Sequence, residues 1–417
     1  MSEQDSSSKR PAHAPMAQFP LQDGEVLVGG QPLSRLAERV GQTPFYAYDR
    51  GLLRRRVAEL RAALPRQIKL HYAMKANPMP AVVGLMAGLV DGIDVASGGE
   101  LKVALDAGAD PAEISFAGPA KRELELRQAV AAGVLVNVES RRELPLLAAA
   151  SQDLALPARV ALRVNPDFEL KGSGMKMGGG PKQFGIDAEL LPDVLAEVGR
   201  LGLAFEGFHL FAGSQNLRAE SICEAQQKSY ELALRLAAHA PAPVRFLNLG
   251  GGFGIPYFPG ETPLDLAPIG ANLQALCERA AVELPAAHLV IELGRYLVGE
   301  AGVYVARVLD RKVSRGQVFL VTDGGLHHHL SASGNFGQVI RKNYPATISR
   351  VGGPAPALES ASVVGPLCTP LDLLADKMLL PEAREGDLAI VFQSGAYGAS
   401  ASPQGFLGHP AVVEVLV

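Results

Sequence analysis

Residues 68–97, IKLHYAMKANPMPAVVGLMAGLVDGIDVAS, hold one whole structural repeat. Ile68–Ala73 is a short, mainly apolar run, interrupted by Lys69 and His71, that ends shortly before Asn77-Pro78, so it reads as a buried strand. Ala81–Leu89 reads as a helix, and Gly92–Ala96 as a second buried strand. Parallel strands joined by a helix are covered on both faces, which is why such runs are apolar throughout rather than alternating. The pattern continues outward. Strands are expected at Glu113–Ala117, Val134–Val138, Arg159–Val164, Phe205–Leu210, Arg245–Leu249 and Leu289–Leu293. Helices are expected over Gly99–Asp106, Lys121–Ala131, Arg141–Ala149 and Ala219–Ala238. Eight strands alternating with helices favour an α/β fold, a TIM-like (β/α)8 barrel, over a doubly wound sheet.

After residue 300 the pattern changes. Val303–Leu309, Val318–Val321, Ser362–Val364, Leu388–Phe392 and Val412–Val417 are strand-like with little helical signal between them. They predict a C-terminal β-domain, a sandwich or small barrel, that Glu25–Val28 and Phe45–Tyr48 would complete. The expected division is a flexible tail at 1–20, an N-terminal segment joining the β-domain at 21–43, the barrel at 44–300 and the β-domain at 301–417. The 417 residues are 48% hydrophobic and 20% charged, which excludes a disordered chain or a coiled coil. Lys plus Arg total 39 against 43 Asp plus Glu, a formal charge of −4, so there is no basic surplus for nucleic acid or anionic membrane. No run of about 18 apolar residues suggests a membrane span. Residues 1–20 lack the apolar centre of a secretory signal. Cys223, Cys277 and Cys368 have neither zinc nor disulfide spacing, which suits a reducing, cytoplasmic setting.

A (β/α)8 barrel places its chemistry on the loops after its strands. The first strand runs into Lys75. Burial there should lower the lysine pKa and free its amine for a Schiff base with an aldehyde cofactor. The seventh runs into Gly250-Gly251-Gly252, whose backbone N–H groups could close on a phosphate. The eighth carries Glu292 and Arg295, suited to a cationic ring nitrogen and a phosphate. The sixth ends near Phe211, which could stack on a flat ring, and Ser214, which could donate to phosphate. A lysine, an acid, an arginine and a glycine loop on different strand ends of one barrel suit pyridoxal 5'-phosphate (PLP). Gly172–Gly180 reads as a mobile loop, a candidate lid.

The blocks YAMKAN, DVASGGEL, LRVNP with QFGI, GSQ, GGGFGIPY, ELGRY, GPLCTPLD and SGAYG lie in this order along the chain. In that order and spacing the sequence resembles the fold-type III PLP-dependent decarboxylases of diaminopimelate, ornithine and arginine. The resemblance runs from about Thr43 to Val417. It implies that Lys75 is the Schiff-base lysine and Glu292 the partner of the pyridine nitrogen. Gly250, Gly251, Gly252, Ser214, Arg295 and Tyr397 match phosphate or cofactor contacts, and Asp94, Glu100 and Arg163 match the shell around the ring. Cys368 matches a proton donor supplied by the second subunit of a homodimer with shared active sites. Asp323 and Asp372 fall in blocks that shape the substrate pocket. The implied activity is removal of the α-carboxylate of an amino acid, and no metal is implied.

Three departures bear on substrate. Phe211 stands where the family stacks a histidine, and His209 lies two residues earlier. Thr369 replaces the acid that reads a distal amine. Asp323-Gly324-Gly325-Leu326-His327-His328-His329 replaces a segment that carries a carboxylate-binding arginine, and His327 is expected to line the pocket rather than hold a metal. The blocks KMGGG-PKQFG, GPLCTP, SGAYG and FLGHP look like a narrower subgroup. Its known member decarboxylates a glutamyl unit on an acyl carrier protein, and similar proteins accompany exosortase gene sets. The narrower expectation is therefore an amino-acid substrate tethered to an acyl carrier protein. The alternatives are a diaminopimelate decarboxylase, an amino-acid racemase and a non-catalytic PLP-binding relative. The carboxylate at Glu292 argues against the racemase, whose family places an arginine there.

Overall fold

The computed structural model describes residues 12–168, 175–176, 178–350 and 357–417. Eight parallel strands form the centre: β1 (Lys69–Ala73), β2 (Gly92–Val95), β3 (Ile114–Phe116), β4 (Leu135–Val138), β5 (Arg159–Asn165), β6 (Ala204–Leu210), β7 (Phe246–Gly251) and β8 (His288–Leu293). Each pairs with its neighbour in sequence, and β8 pairs back onto β1, with Val290 opposite Lys69. The sheet closes into the expected (β/α)8 barrel. Helices between the strands include Pro80–Ala87, Gly98–Asp106, Glu123–Ala132 and Glu143–Leu154.

Strand periodicity sets what the barrel contains. Outward residues such as Tyr72, Ile93 and Val136 are buried apolar groups. Many inward positions are polar instead: His71, Asp94, Ser115, Asn137, His209, Asn248 and Glu292 are all buried. Such groups are tolerated only when they satisfy one another. The register makes this possible, placing Glu292 opposite His71 and Asp94 opposite both Ala73 and Ser115.

The second domain is a mixed sheet organised by one long strand, Gly302–Ser314. Its first half lies between Phe45–Tyr48 and Leu388–Val391, and its second half pairs with Gln317–Thr322. Leu358–Val364 adds parallel to that last strand, and Leu373–Pro381 adds antiparallel beyond it. Phe45–Tyr48 also pairs in parallel with Val413–Leu416, so an N-terminal strand does complete this sheet. Glu25–Val28 does not join it. It forms a small sheet with Leu21–Gln22 and Gln31–Pro32, tied to the domain where the Val26 N–H donates to Ser349 Oγ at 3.1 Å. Two strands of this mixed sheet were not expected from the sequence, Ala346–Ser349 and Leu373–Pro381. Among the described residues no helix is long and apolar enough to cross a membrane.

Part of the expected lid, residues 172–174 and 177, lies outside the described residues. The rest is pinned. Met175–Lys176 pairs with Gly213–Ser214, the Gly179 N–H donates to Asn165 Oδ1 at 3.1 Å, and Asn165 Nδ2 donates to the Gly180 carbonyl at 2.9 Å.

Candidate active site

A cavity of about 700 Å³ opens at the C-terminal mouth of the barrel. Lys75, Asp94, Arg163, Glu292, Arg295 and Tyr397 all line it. Lys75 lies in the 3-10 turn Met74–Ala76 that follows β1. Its side chain is 47% exposed and its Nζ lies 3.7 Å from Glu292 Oε1, with the Phe211 ring 5.6 Å away. The expected fall in its pKa is not found. Burial pulls the ammonium down, but the Glu292 charge, aided by Tyr397, outweighs it and holds Lys75 above its ordinary value. The proton on Lys75 therefore depends on Glu292.

Glu292 is 5% exposed. Its Oε2 faces His209 Nε2 at 2.9 Å and accepts from Asn248 Nδ2 at 3.3 Å. Burial alone would push the carboxyl up. The His209 hydrogen bond and charge, with Lys75 and Arg163, reverse this and hold it well below the usual carboxylate range. Asn248 also ties in the glycine loop, since its Oδ1 accepts the Gly250 N–H at 2.8 Å. Gly250 and Gly252 adopt φ of +76° and +74°. A Cβ at Gly251 would collide with the Glu292 carbonyl oxygen, and one at Gly252 with the Gly213 carbonyl beside Ser214. These glycines let three strand ends converge, so substitution at Gly251 would disturb Glu292 directly.

Arg295 Nη1 donates to the Tyr257 hydroxyl at 3.1 Å, and its guanidinium lies 4.7 Å from the Tyr397 ring. Its Nε is buried with no partner, and no carboxylate pairs with it among the described residues. A cationic fork held by tyrosines, with a free N–H, is a receptor for an anion. Tyr397 comes from the C-terminal domain in a left-handed conformation (φ +53°) that is costly for a bulky residue. Its N–H donates to the Ala76 carbonyl at 2.7 Å, and Asn77 Nδ2 donates to the Gly395 carbonyl at 3.0 Å. The second domain thus grips the turn that carries Lys75.

Several expected contributors lie elsewhere. His209 was expected on the substrate side, but it is 2% exposed inside the barrel, where it holds Glu292. Glu100 belongs to a helix cap: its carboxylate accepts the Ala96 N–H at 2.7 Å while Ser97 Oγ accepts the Glu100 N–H at 3.1 Å. Asp323 braces its own domain by accepting the Thr43 hydroxyl and the Arg307 N–H. Asp372 is buried and joins two loops by accepting N–H groups of Leu326 at 2.6 Å and Leu367 at 2.8 Å. His327 is fully buried, both its ring nitrogens lack a partner among the described residues, and its ring lies 3.7 Å from that of His328. His328 and His329 point to different partners, the Pro410 carbonyl and Ser394 Oγ, each at 2.8 Å. Burial pushes His327 down to about 4 and His329 to about 3, so both are neutral. Cys368 is exposed and Thr369 half-buried beside it, and neither lines this chain's cavity.

Sequence reading missed a buried ionic group that shapes the cavity wall. Arg163 Nη1 donates to Glu139 Oε1 at 2.7 Å, and the Gly118 and Gly185 N–H groups also donate to Glu139. Lys121 Nζ spans Glu143 at 3.1 Å and the Gly118 carbonyl at 2.8 Å. Burial lowers the Lys121 pKa. Glu139 follows β4 just as Glu292 ends β8, a position that could have drawn notice.

Comparison with known proteins bears on this geometry. Residues 50–299 match the pyridoxal-dependent decarboxylase, pyridoxal binding domain family. The chain is 39% identical over 380 residues to the L-glutamyl-[BtrI acyl-carrier protein] decarboxylase of Niallia circulans, covering 90% of this chain and 89% of that protein. It is 33% identical to the diaminopimelate decarboxylase of Aquifex aeolicus, covering 95% and 91%. The crystal structure of Helicobacter pylori diaminopimelate decarboxylase complexed with L-lysine superposes with a TM-score of 0.81 at 28% identity, covering 92% of this chain and 94% of that one.

Proposed function

The chain belongs to the pyridoxal-dependent decarboxylases, and on that premise we propose that it decarboxylates an amino acid tethered to an acyl carrier protein. The carbon–carbon lyase activity and the PLP cofactor come with the family. The tethered substrate rests on one observation about the cavity. Each of the three carboxylates that line it has one oxygen held by the protein: Glu292 by His209, Asp94 by His71, and Glu261 by the N–H groups of Tyr257 and Phe258 at 2.9 and 3.0 Å. With Thr369 in place of an acid, the described residues add no further carboxylate to the cavity to read a distal ammonium. A side chain capped as a thioester suits such a wall, and the similarity to a carrier-protein decarboxylase agrees with it.

The residues present fit the cofactor. Arg295, with its free Nε, and the backbone around Gly251, Gly252 and Ser214 would hold the phosphate. Lys75 would hold the aldehyde carbon, and Asp94, Arg163 and Phe211 would flank the ring. Bound PLP supplies the electron sink that makes loss of carbon dioxide feasible. Glu292, kept ionised by His209 and Asn248, offers a fixed negative charge that holds a proton on a ring nitrogen facing it. Lys75 would be the group that a substrate amine replaces, and its Nζ would remain in the cavity beside Glu292. Cys368 Sγ returns a proton to the substrate's Cα. Because Cys368 is exposed and outside its own chain's cavity, it acts in the site of a second subunit of a homodimer. The three free thiols suit a cytoplasmic location.

The test is carbon dioxide release by the PLP-loaded protein from free diaminopimelate, lysine and ornithine and from a glutamyl thioester on an acyl carrier protein. Turnover should be confined to the carrier-bound substrate. Faster release from free diaminopimelate would overturn the tethered reading in favour of the diaminopimelate one.

A further inference from the structure

His71 lies four residues before Lys75 and points into the barrel, 2% exposed. Its Nδ1 is 3.0 Å from Asp94 Oδ1. The Ser115 hydroxyl donates to the same oxygen and itself accepts from Asn137 Nδ2 at 3.1 Å. Two atoms of this buried group have no partner among the described residues: Asp94 Oδ2 and His71 Nε2. The two residues face different cavities. Asp94 lines the cavity that holds Lys75. His71 and Ser115 line a second cavity, of about 400 Å³, at the opposite mouth of the barrel. The space is kept open for the ring, since a Cβ at Gly92 would meet His71 Nε2 at 2.5 Å.

We propose that His71 is a positioning residue: it fixes one oxygen of Asp94, leaves the other for the cofactor pocket, and couples that pocket to the charge at the barrel's lower mouth. The inference rests on the cofactor reading of the upper cavity. The groups that face the ring are Asp94 on β2, Glu113 before β3 and Glu292 on β8. Burial lowers the His71 pKa, but Asp94, by charge and hydrogen bond, then Glu113 and Glu292, raise it above the ordinary value. Phe246 packs against the ring, with centroids 6.0 Å apart. The lower mouth adds two ion pairs, Lys69 with Glu113 at 2.5 Å and Arg159 with Glu206 at 3.3 Å, along with Arg245 and His288. His71 thus holds Asp94 from the side of the barrel away from the substrate, beside the charged groups of the lower mouth.

The experiment uses the full chain with His71→Phe and His71→Asn, read by PLP affinity in equilibrium dialysis and by the pH titration of the bound cofactor's visible absorbance. His71→Phe removes both charge and hydrogen bond, and should weaken PLP binding about tenfold. His71→Asn keeps a donor but not the charge. It should hold PLP within about threefold of the parent, yet still move the titration midpoint by roughly half a pH unit or more. Thermal unfolding of the cofactor-free proteins separates misfolding from the proposed role, and His71→Asn carries the test if His71→Phe does not fold. An unchanged midpoint in His71→Asn would overturn the proposal. A parent protein that binds no PLP would instead overturn the cofactor reading beneath it.

Discussion

The barrel and the C-terminal sheet both carry blocks that resemble the family, but they stand in different relations to the cavity. Lys75, Asp94, Arg163, Glu292 and Arg295 come from the ends of four strands and converge on it within one chain. From the C-terminal domain Tyr397 arrives, whereas Cys368, Thr369, Asp323, Asp372 and His327 do not. Asp323 and Asp372 are spent on loop geometry, and Cys368 faces outward. The barrel thus supplies the charged groups of the cavity, while the C-terminal domain adds Tyr397, Phe336 and Tyr344 to its wall.

The largest effect expected is on the barrel side. Lys75→Ala should lower carbon dioxide release by on the order of 10⁴-fold or more and abolish the lysine-dependent absorbance of bound PLP. A band that persisted unchanged would break the assignment of Lys75. Next is Cys368, proposed to act in a second subunit. Cys368→Ala should cost roughly 10²-fold in turnover while leaving PLP affinity unchanged. Mixing it with Lys75→Ala should then restore about a quarter of parental activity, because random exchange gives half heterodimers with one intact site each. No recovery after verified subunit exchange would place Cys368 in its own chain's site. Arg295→Met should weaken PLP about 10- to 100-fold, the worth of a charge-assisted hydrogen bond or two, in equilibrium dialysis. The smallest effect concerns stability alone. His327 titrates near 4 when folded and near its ordinary value of 6.5 when unfolded. The unfolded chain therefore binds more protons between those values, so stability falls as pH drops from about 6.5 to 4, by up to roughly 1.4 kcal/mol per pH unit. His327→Phe should flatten that slope in thermal unfolding scans; an unaltered slope would refute the buried neutral imidazole.

The barrel was legible because its rule is local. A short apolar run, a helix and another apolar run recur, and the chemistry lies just after each run. That rule led to Lys75, Glu292 and Arg295. It failed for residues inside the runs. His71, His209 and Asn248 are single polar letters within apolar strands, and only the register shows that they face one another or Glu292. The Lys75 pKa failed for the same reason: its burial could be inferred from sequence, but the carboxylate 3.7 Å away could not. Leu373–Pro381, LLADKMLLP, lacks clean alternation, because its central residues are exposed while Leu374, Ala375 and Leu380 are buried. The far cavity wall of Tyr257, Phe258, Phe336 and Tyr344 joins segments some eighty residues apart, beyond the reach of any local pattern.

Strand Phe45–Tyr48 lies between Gly302–Val305 and Val413–Leu416. On the ribosome it emerges before any barrel strand, and its second neighbour emerges only after more than 360 further residues. At about 5–20 residues per second, that is on the order of tens of seconds during which an apolar strand has an open edge. The last sheet to be completed is also the one that grips Lys75 through Tyr397 and Asn77. A nascent chain would therefore acquire its lysine turn early and have it locked in place only after Tyr397 and Val413–Leu416 have emerged.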